Sequence, residues 1–303
     1  MELQNSLIRK RIRSAIDYLL TIQNKDGSWR DYCLPVGESD QWVTAFTALG
    51  VMEASRKIDY RDGVNAAQRG AAFLLKCQVY EAGWGYNRHV GVDADSTAHA
   101  LLLFRGLDIP VAQKDELCLI AHRNDNGVFC TYISDSGWGM PHPEVTAAAA
   151  LALSQDSLEE IRDRLIDYSN ACRLSTGEWP TYWWRNHQYG TYYMLAMRKR
   201  LGCPVPSGIA KMEIKIESCF DLAWTIGILA QIGSHPQAVT KALRALFCMQ
   251  KHEGAWPSSR ALRVTDPKCA EPWISQLGEF YVDINSTITT SSALRVLSLL
   301  IPA

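Results

Sequence analysis

The chain has 303 residues, 47% of them hydrophobic and 21% charged, and a net charge of −1; this is the profile of a soluble globular protein with a sizeable core. Its charge balance excludes nucleic acid as a partner, because its one basic cluster, Arg9-Lys10-Arg11 with Arg13, sits on the polar face of a first helix. Nine scattered cysteines exclude a disulfide framework, and with no leader-like start and no apolar run of spanning length they predict a cytoplasmic protein; peripheral membrane contact through an apolar patch stays open.

In chain order, the first predicted unit runs from Ser14 to Trp29. An amphipathic helix leads to Gln23, a tight turn at Asp26-Gly27, and a tryptophan that packs back. An apolar helix rich in small residues follows, Trp42-Val43-Thr44-Ala45-Phe46-Thr47-Ala48-Leu49. A second turn links Gln78 to Gly83-Trp84, with Ala82 where the first unit has glycine. It precedes Asp93-Ala94-Asp95-Ser96-Thr97-Ala98, which opens another apolar helix. Weaker turns lie at His122 to Gly127-Val128-Phe129 and at Arg173 to Gly177-Glu178-Trp179. They precede helices beginning near Val145-Thr146-Ala147 and Tyr189-Gly190-Thr191. A helix at Phe220-Asp221-Leu222-Ala223-Trp224 has no such turn before it. The last unit, Ala242 to Trp256, repeats the first as Gln250-x-x-x-Gly254-x-Trp256 and leads into Ile288-Thr289-Thr290.

Helices apolar almost all round must be enclosed, and amphipathic helices alternating with them supply the enclosing layer. The repeat therefore predicts an all-α fold, an (α/α)6 barrel of six inner and about six outer helices over residues 1–303. Strand signals are weak. In such a barrel the inner helices point one way, and their N-terminal ends line a mouth.

Asp93 and Asp95 belong to that mouth. At a helix start, unsatisfied N–H groups and the dipole favour negative charge, while apolar surroundings and a second carboxyl keep an acid protonated. Taken alone, the hexapeptide reads first as an ordinary N-cap with a first-turn acid; its place in the repeat gives it chemistry.

The chain resembles the squalene–hopene cyclase and class II terpene cyclase superfamily. Gln-x-x-x-Gly-x-Trp repeats are a hallmark of that family, and Asp93-Ala94-Asp95-Ser96-Thr97-Ala98 resembles its acid motif Asp-x-Asp-Asp-Thr-Ala. Glu144-Val145-Thr146-Ala147 and Trp183-Trp184-Arg185-Asn186-His187-Gln188-Tyr189-Gly190-Thr191 resemble two later landmarks, in the family's order. The resemblance implies the acid-bearing barrel domain and protonation-initiated cyclisation of a prenyl chain, free or attached to another skeleton. Asp95 would be the general acid, with Asp93 and Ser96 supporting it. Trp42, Trp84, Tyr86, Trp138, Trp183, Tyr189 and Trp224 are candidates to hold a travelling cation on their ring faces, and His187 is a further substrate-binding candidate. Trp29, Trp179 and Trp256 read instead as packing for the repeat turns.

The chain departs from the family in three ways. It has no inserted second helical domain, so the cavity would be smaller, more open, or closed by a second copy or a partner protein. Ser96 replaces an acid. About fifteen residues separate Leu201 from Glu217, too few for a full outer helix and turn, so one repeat is truncated. The family's acid-orienting histidine has no mapped counterpart; His187 and His99 stand in by proximity only, and each reads first as a core or rim histidine.

The reaction needs no cofactor, although Mg²⁺ would assist a diphosphate substrate, for which Arg88, Arg123, Arg185 and Arg260 are anion candidates. Asp31-Tyr32-Cys33 lacks a paired histidine, so no metal site is expected. A glycosidase pairing Asp93 or Asp95 with Glu144, Glu217 or Asp221 has no further support. No phosphate loop or nucleophile elbow is present. The alternative to a cyclase is a non-catalytic barrel that binds an isoprenoid or a partner protein.

Overall fold

The computed structural model describes residues 2–78, 82–209, 217–275 and 277–302. In chain order the elements are α1 (Glu2–Thr21), β1 (Asp31–Leu34), β2 (Gly37–Ser39), α2 (Gln41–Ile58), α3 (Arg61–Cys77), α4 (Ala94–Gly106), α5 (Gln113–Ala121) and α6 (Pro143–Ala152). They continue with α7 (Gln155–Ala171), α8 (Gln188–Arg200), α9 (Cys219–Gln231), α10 (Pro236–Met249), β3 (Leu262–Val264), α11 (Pro272–Ser275), β4 (Glu279–Tyr281) and α12 (Thr287–Leu299).

Each repeat is built on a helix end that needs partners. The last carbonyls of an α-helix have no acceptor role inside it, and the tryptophan of the turn supplies one donor. Trp29 Nε1 donates to Leu19 O at 2.8 Å, Trp84 Nε1 to Leu74 O at 2.9 Å, Trp179 Nε1 to Ser169 O at 2.6 Å and Trp256 Nε1 to Leu246 O at 2.7 Å. A threonine of the following inner helix then ties the turn down. Thr44 Oγ1 accepts from Trp29 N at 2.9 Å and donates to Trp29 O at 3.1 Å. Thr97, Thr191 and Thr290 accept from the equivalent nitrogens of Trp84, Trp179 and Trp256. The weakest predicted unit keeps the threonine, Thr146 with Phe129 N at 3.1 Å, but has no indole. Gly27 takes φ 94°, and a Cβ there would stand 2.4 Å from Arg69 O. The glycine thus serves both the left-handed turn and its close approach to α3.

The inner helices close a ring: α2 packs on α4, α4 on α6, α6 on α8, α8 on α9, α9 on α12 and α12 on α2. The outer helices α1, α3, α5, α7 and α10 cover it, and among the described residues no outer helix stands between α8 and α9. The fold is the expected (α/α)6 barrel with one repeat truncated. That truncated repeat falls partly on residues 210–216, outside the described residues.

Gln23 Nε2 bridges its own turn, Gly27 O, to Ala66 O of α3, both at 2.9 Å. Gln250 does the same at the other end of the chain, donating to Gly254 O at 2.7 Å and to Arg11 O of α1 at 3.0 Å. The glutamines therefore stitch one outer helix to the next, and the last stitch joins the chain's two ends.

Two antiparallel hairpins, β1–β2 and β3–β4, are the strands that the sequence did not announce. Both lie at the end of the barrel where the inner helices begin. Asp31 in β1 accepts from Thr287 N at 3.1 Å and Asn285 N at 3.3 Å, so it secures the start of α12. That structural duty accounts for the carboxylate of the Asp-x-Cys sequence. No helix among the described residues is long and apolar enough to cross a membrane.

Candidate active site

A cavity of about 310 Å³ opens at the N-terminal ends of the inner helices, within the size range of small-molecule sites. Hairpin residues Leu34, Pro35, Val36, Leu262, Val264 and Tyr281 form part of its wall. Trp42, Tyr86, Tyr132, Trp138, Trp183 and Trp184 give it aromatic faces, and Asp93, Asp95 and Glu144 are its carboxyls.

Asp93 is the N-cap of α4. Its Oδ1 accepts from Ser96 N and its Oδ2 from Ser96 Oγ, both at 2.7 Å. The serine that replaces an acid therefore attends to Asp93 and makes no bond to the Asp95 carboxyl. Asp95 lies in the first turn, with 16% of its side chain exposed. Its Oδ2 accepts from Trp42 Nε1 at 2.7 Å, and its Oδ1 has no hydrogen-bond partner. Burial pushes the carboxyls of both Asp93 and Asp95 up to about 7. Hydrogen bonds from Ser96 restrain Asp93, and that from Trp42 restrains Asp95.

His99 stands one turn further along α4. Its Nδ1 is 2.9 Å from the Asp95 carbonyl and 3.5 Å from Asp95 Oδ1, and its Nε2 is 3.0 Å from the Tyr193 hydroxyl. A carbonyl only accepts, so Nδ1 carries the hydrogen and Nε2 accepts from Tyr193. Burial, followed by the positive charge of Arg295, lowers the imidazole to about 3, so it is neutral. Arg295 donates to the Tyr193 hydroxyl and pairs through Nε with Glu53 Oε2 at 3.0 Å. A continuous polar column thus runs from Asp95 down the barrel. The structure brings His99, a stand-in by proximity only, into contact with Asp95.

Glu144 opens α6 as Asp95 opens α4. Its Oε1 accepts from Tyr182 N at 2.6 Å and Trp183 N at 2.8 Å; its Oε2 has no partner. Burial, opposed by those hydrogen bonds, raises its carboxyl to about 7. The buried Arg263 clamps the same segment from the other side, donating to the carbonyls of Thr181 and Tyr182. Trp183 and Trp184 are thereby presented to the cavity, with Trp184 packed 5.9 Å from Trp42. Trp183 Nε1 donates to Thr131 Oγ1 at 2.8 Å, and Thr131 is 2.7 Å from His142 Nδ1.

Of the expected aromatic residues, Trp42, Tyr86, Trp138 and Trp183 line the cavity. Trp84 does not. It is buried in the repeat turn, with its indole on the Leu74 carbonyl and its ring edge on Phe104. Tyr189 and Trp224 are fully buried in the aromatic plug of the barrel, 5.2 Å apart, and do not line the cavity. His187 is the N-cap residue of α8 and is absent from the cavity wall. Trp29, Trp179 and Trp256 pack turns, as expected. Trp184 and Tyr132 also line the cavity, as does Glu144, for which the sequence offers only a landmark and an unsupported glycosidase pairing. The available signal was positional: Glu144 is an acid in the first turn of an inner helix.

The anion candidates are elsewhere. Arg123 is 3.6 Å from Glu160, and Arg88 Nε meets His89. Arg185 is 3.6 Å from Glu217, and Arg260 donates to Phe280 O. Among the described residues no group of three or more His, Cys, Asp or Glu side chains is placed to hold a metal ion.

No protein-family model and no curated protein sequence matches the chain. Solved structures do. The type II terpene cyclase MstE from Scytonema, as an apo single-residue variant, matches with a TM-score of 0.86 at 25% identity, over 100% of this chain and 99% of that one. The chain belongs to the class II terpene cyclase superfamily. Other variants of MstE at 24% identity are complexes with geranylgeranyl dihydroxybenzoate, its substrate, and with merosterolic acid A, its product. A protein from Actinoplanes matches with a TM-score of 0.81 at 25% identity, over 96% of this chain and 99% of that one. The ent-copalyl diphosphate synthase of Streptomyces platensis shares the superfamily's fold at 14% identity and a TM-score of 0.61, over 84% of this chain and 50% of its own.

Proposed function

We propose that Asp95 starts a cyclisation cascade by protonating an alkene or epoxide of a prenyl chain folded into the cavity. The observation that carries this reading is a carboxyl held up to about 7 by burial, with one oxygen free of any hydrogen bond, in an aromatic cavity. Such a group is a neutral acid near neutral pH and can give its proton to a weak base. As the proton leaves, the Trp42 N–H stabilises the carboxylate that forms. The faces of Trp42, Trp183, Trp184 and Tyr132 hold the positive charge as rings close, and the apolar wall withholds the water that would quench it. Asp93 and Ser96 fix the helix start that carries Asp95.

The described wall contains three carboxyls and no lysine or arginine. A diphosphate, or Mg²⁺ with it, would find no counter-charge there, which favours a prenyl chain on an aromatic or other diphosphate-free skeleton. The geranylgeranyl dihydroxybenzoate bound by MstE is of this class. The two strand pairs contribute apolar side chains to the wall at the mouth of the cavity.

The test is to incubate the protein with prenylated aromatics, prenyl alcohols, squalene and prenyl diphosphates and seek isomers of unchanged mass. Asp95→Asn should lower turnover by roughly 10²–10⁴-fold with substrate binding retained. Unchanged turnover in that variant would falsify the assignment.

A further inference from the structure

The geometry points to Glu144 as the base that ends the reaction: its Oε2 takes the proton released when the last cation collapses to an alkene. This rests on the proposed reading of Asp95 as the acid. Three carboxyls line the cavity. Asp93 commits both oxygens to Ser96, and Asp95 begins the cycle as the donor. Glu144 is 1% exposed, fixed through Oε1 by two backbone N–H groups, and keeps Oε2 unpartnered.

The two carboxyls differ in the donors that face them. Asp95 receives one hydrogen bond, from an indole. Glu144 receives two, from backbone N–H groups that cannot turn away, and hydrogen bonds to a carboxylate favour its charged form. Burial lowers the Arg263 guanidinium, and the Glu144 carboxylate is the charge that chiefly opposes this. Burial holds both carboxyls at about 7, and a charged Asp95 raises Glu144 further; while Asp95 carries the proton that opposition is absent, and the two backbone donors stabilise the Glu144 anion.

The step balances. The Asp95 O–H bond breaks, and its proton forms a C–H bond at the terminal alkene carbon. Ring-closing C–C bonds form in turn from the remaining alkenes. A C–H bond next to the final cation then breaks, its electron pair becomes the new C=C bond, and its proton goes to Glu144 Oε2. One proton has moved from Asp95 to Glu144. Once product leaves, water in the open cavity returns it. Both carboxyls are pushed to about 7, so the return is nearly level in free energy.

Glu144→Gln tests this, because the amide oxygen still accepts from Tyr182 and Trp183 and the aromatic wall is kept. The expected result is continued substrate consumption with at least a tenfold fall in the wild-type alkene. Isomeric alkenes, or alcohols heavier by one water, should appear instead. The wild-type product in wild-type proportion overturns the assignment; so does loss of all consumption by a folded variant, since protonation precedes deprotonation. If Glu144→Gln fails to fold, Glu144→Asp keeps a carboxylate but withdraws it by one methylene, and the double-bond position should change; an unchanged position overturns the assignment. Asp95→Asn separates the two readings. Turnover in that variant sinks the acid, whereas an inactive Asp95→Asn beside an unaltered Glu144→Gln product sinks the base alone.

Discussion

At the scale of single residues, the proposed acid is defined by what it lacks. Asp95 has one strong donor, the indole of Trp42 at 2.7 Å, and no cation beside it, so burial dominates and the proton stays. The ionised form gains more from the indole than the neutral form does. Trp42→Phe therefore raises the Asp95 pKa and weakens the acid. In a kcat–pH profile, the alkaline limb set by loss of the Asp95 proton should move up by about one pH unit, and the plateau should fall about tenfold. A limb that stays in place would mean that another group controls it. Asp95 was legible in the sequence because its hexapeptide opens an inner helix of the repeat and resembles the family's acid motif, whereas alone it reads as an ordinary cap. Glu144 reads in the sequence as a landmark and as one carboxyl of an unsupported glycosidase pair, since its partners, Tyr182 and Trp183, come from a segment about forty residues away. His99 could not be assigned because its contact with Tyr193 of α8 depends on how two helices are rotated within the ring.

At the scale of elements, the same residue type serves two purposes, and its hydrogen bond tells them apart. The Trp179 indole ends a helix on the Ser169 carbonyl at 2.6 Å, whereas that of Trp183 reaches the cavity-lining Thr131. Trp179→Phe should cost about 1–3 kcal/mol, because it leaves a buried carbonyl without its donor, and calorimetry should show the loss without a change of product. Trp183→Phe should change the product ratio, read by mass spectrometry, with little effect on the melting point. The turn repeats were legible because glycine and tryptophan at fixed spacing are strong signals. The same signal wrongly put Trp84 at the cavity, since a turn tryptophan precedes the acid motif by only a few residues. The hairpins went unread because strands of three or four residues carry no usable alternation. Yet they supply much of the apolar wall.

At the scale of the whole molecule, closure is the main event, and it is made by few bonds. Gln250 ties the last turn to α1 through Arg11 O at 3.0 Å, and Arg11 Nη1 returns a bond to Gln250 Oε1 at 3.2 Å. Gln250→Ala should lower the melting point by several degrees, at about 2–4 °C for each kcal/mol in a chain of this size. No shift would show that packing of α1 on α12 suffices. The ring was predictable from the repeat, and its gap between α8 and α9 from the short connection there. Below the cavity, Phe46, His99, Tyr189, Tyr193 and Trp224 are all fully buried and fill the middle of that ring. The barrel is therefore a blind tunnel rather than a passage. On the proposed reading, a prenyl chain enters with its terminal alkene first, and its ring-closed form leaves through the same mouth. A cavity closed at its floor in this way would measure such a guest from its tail.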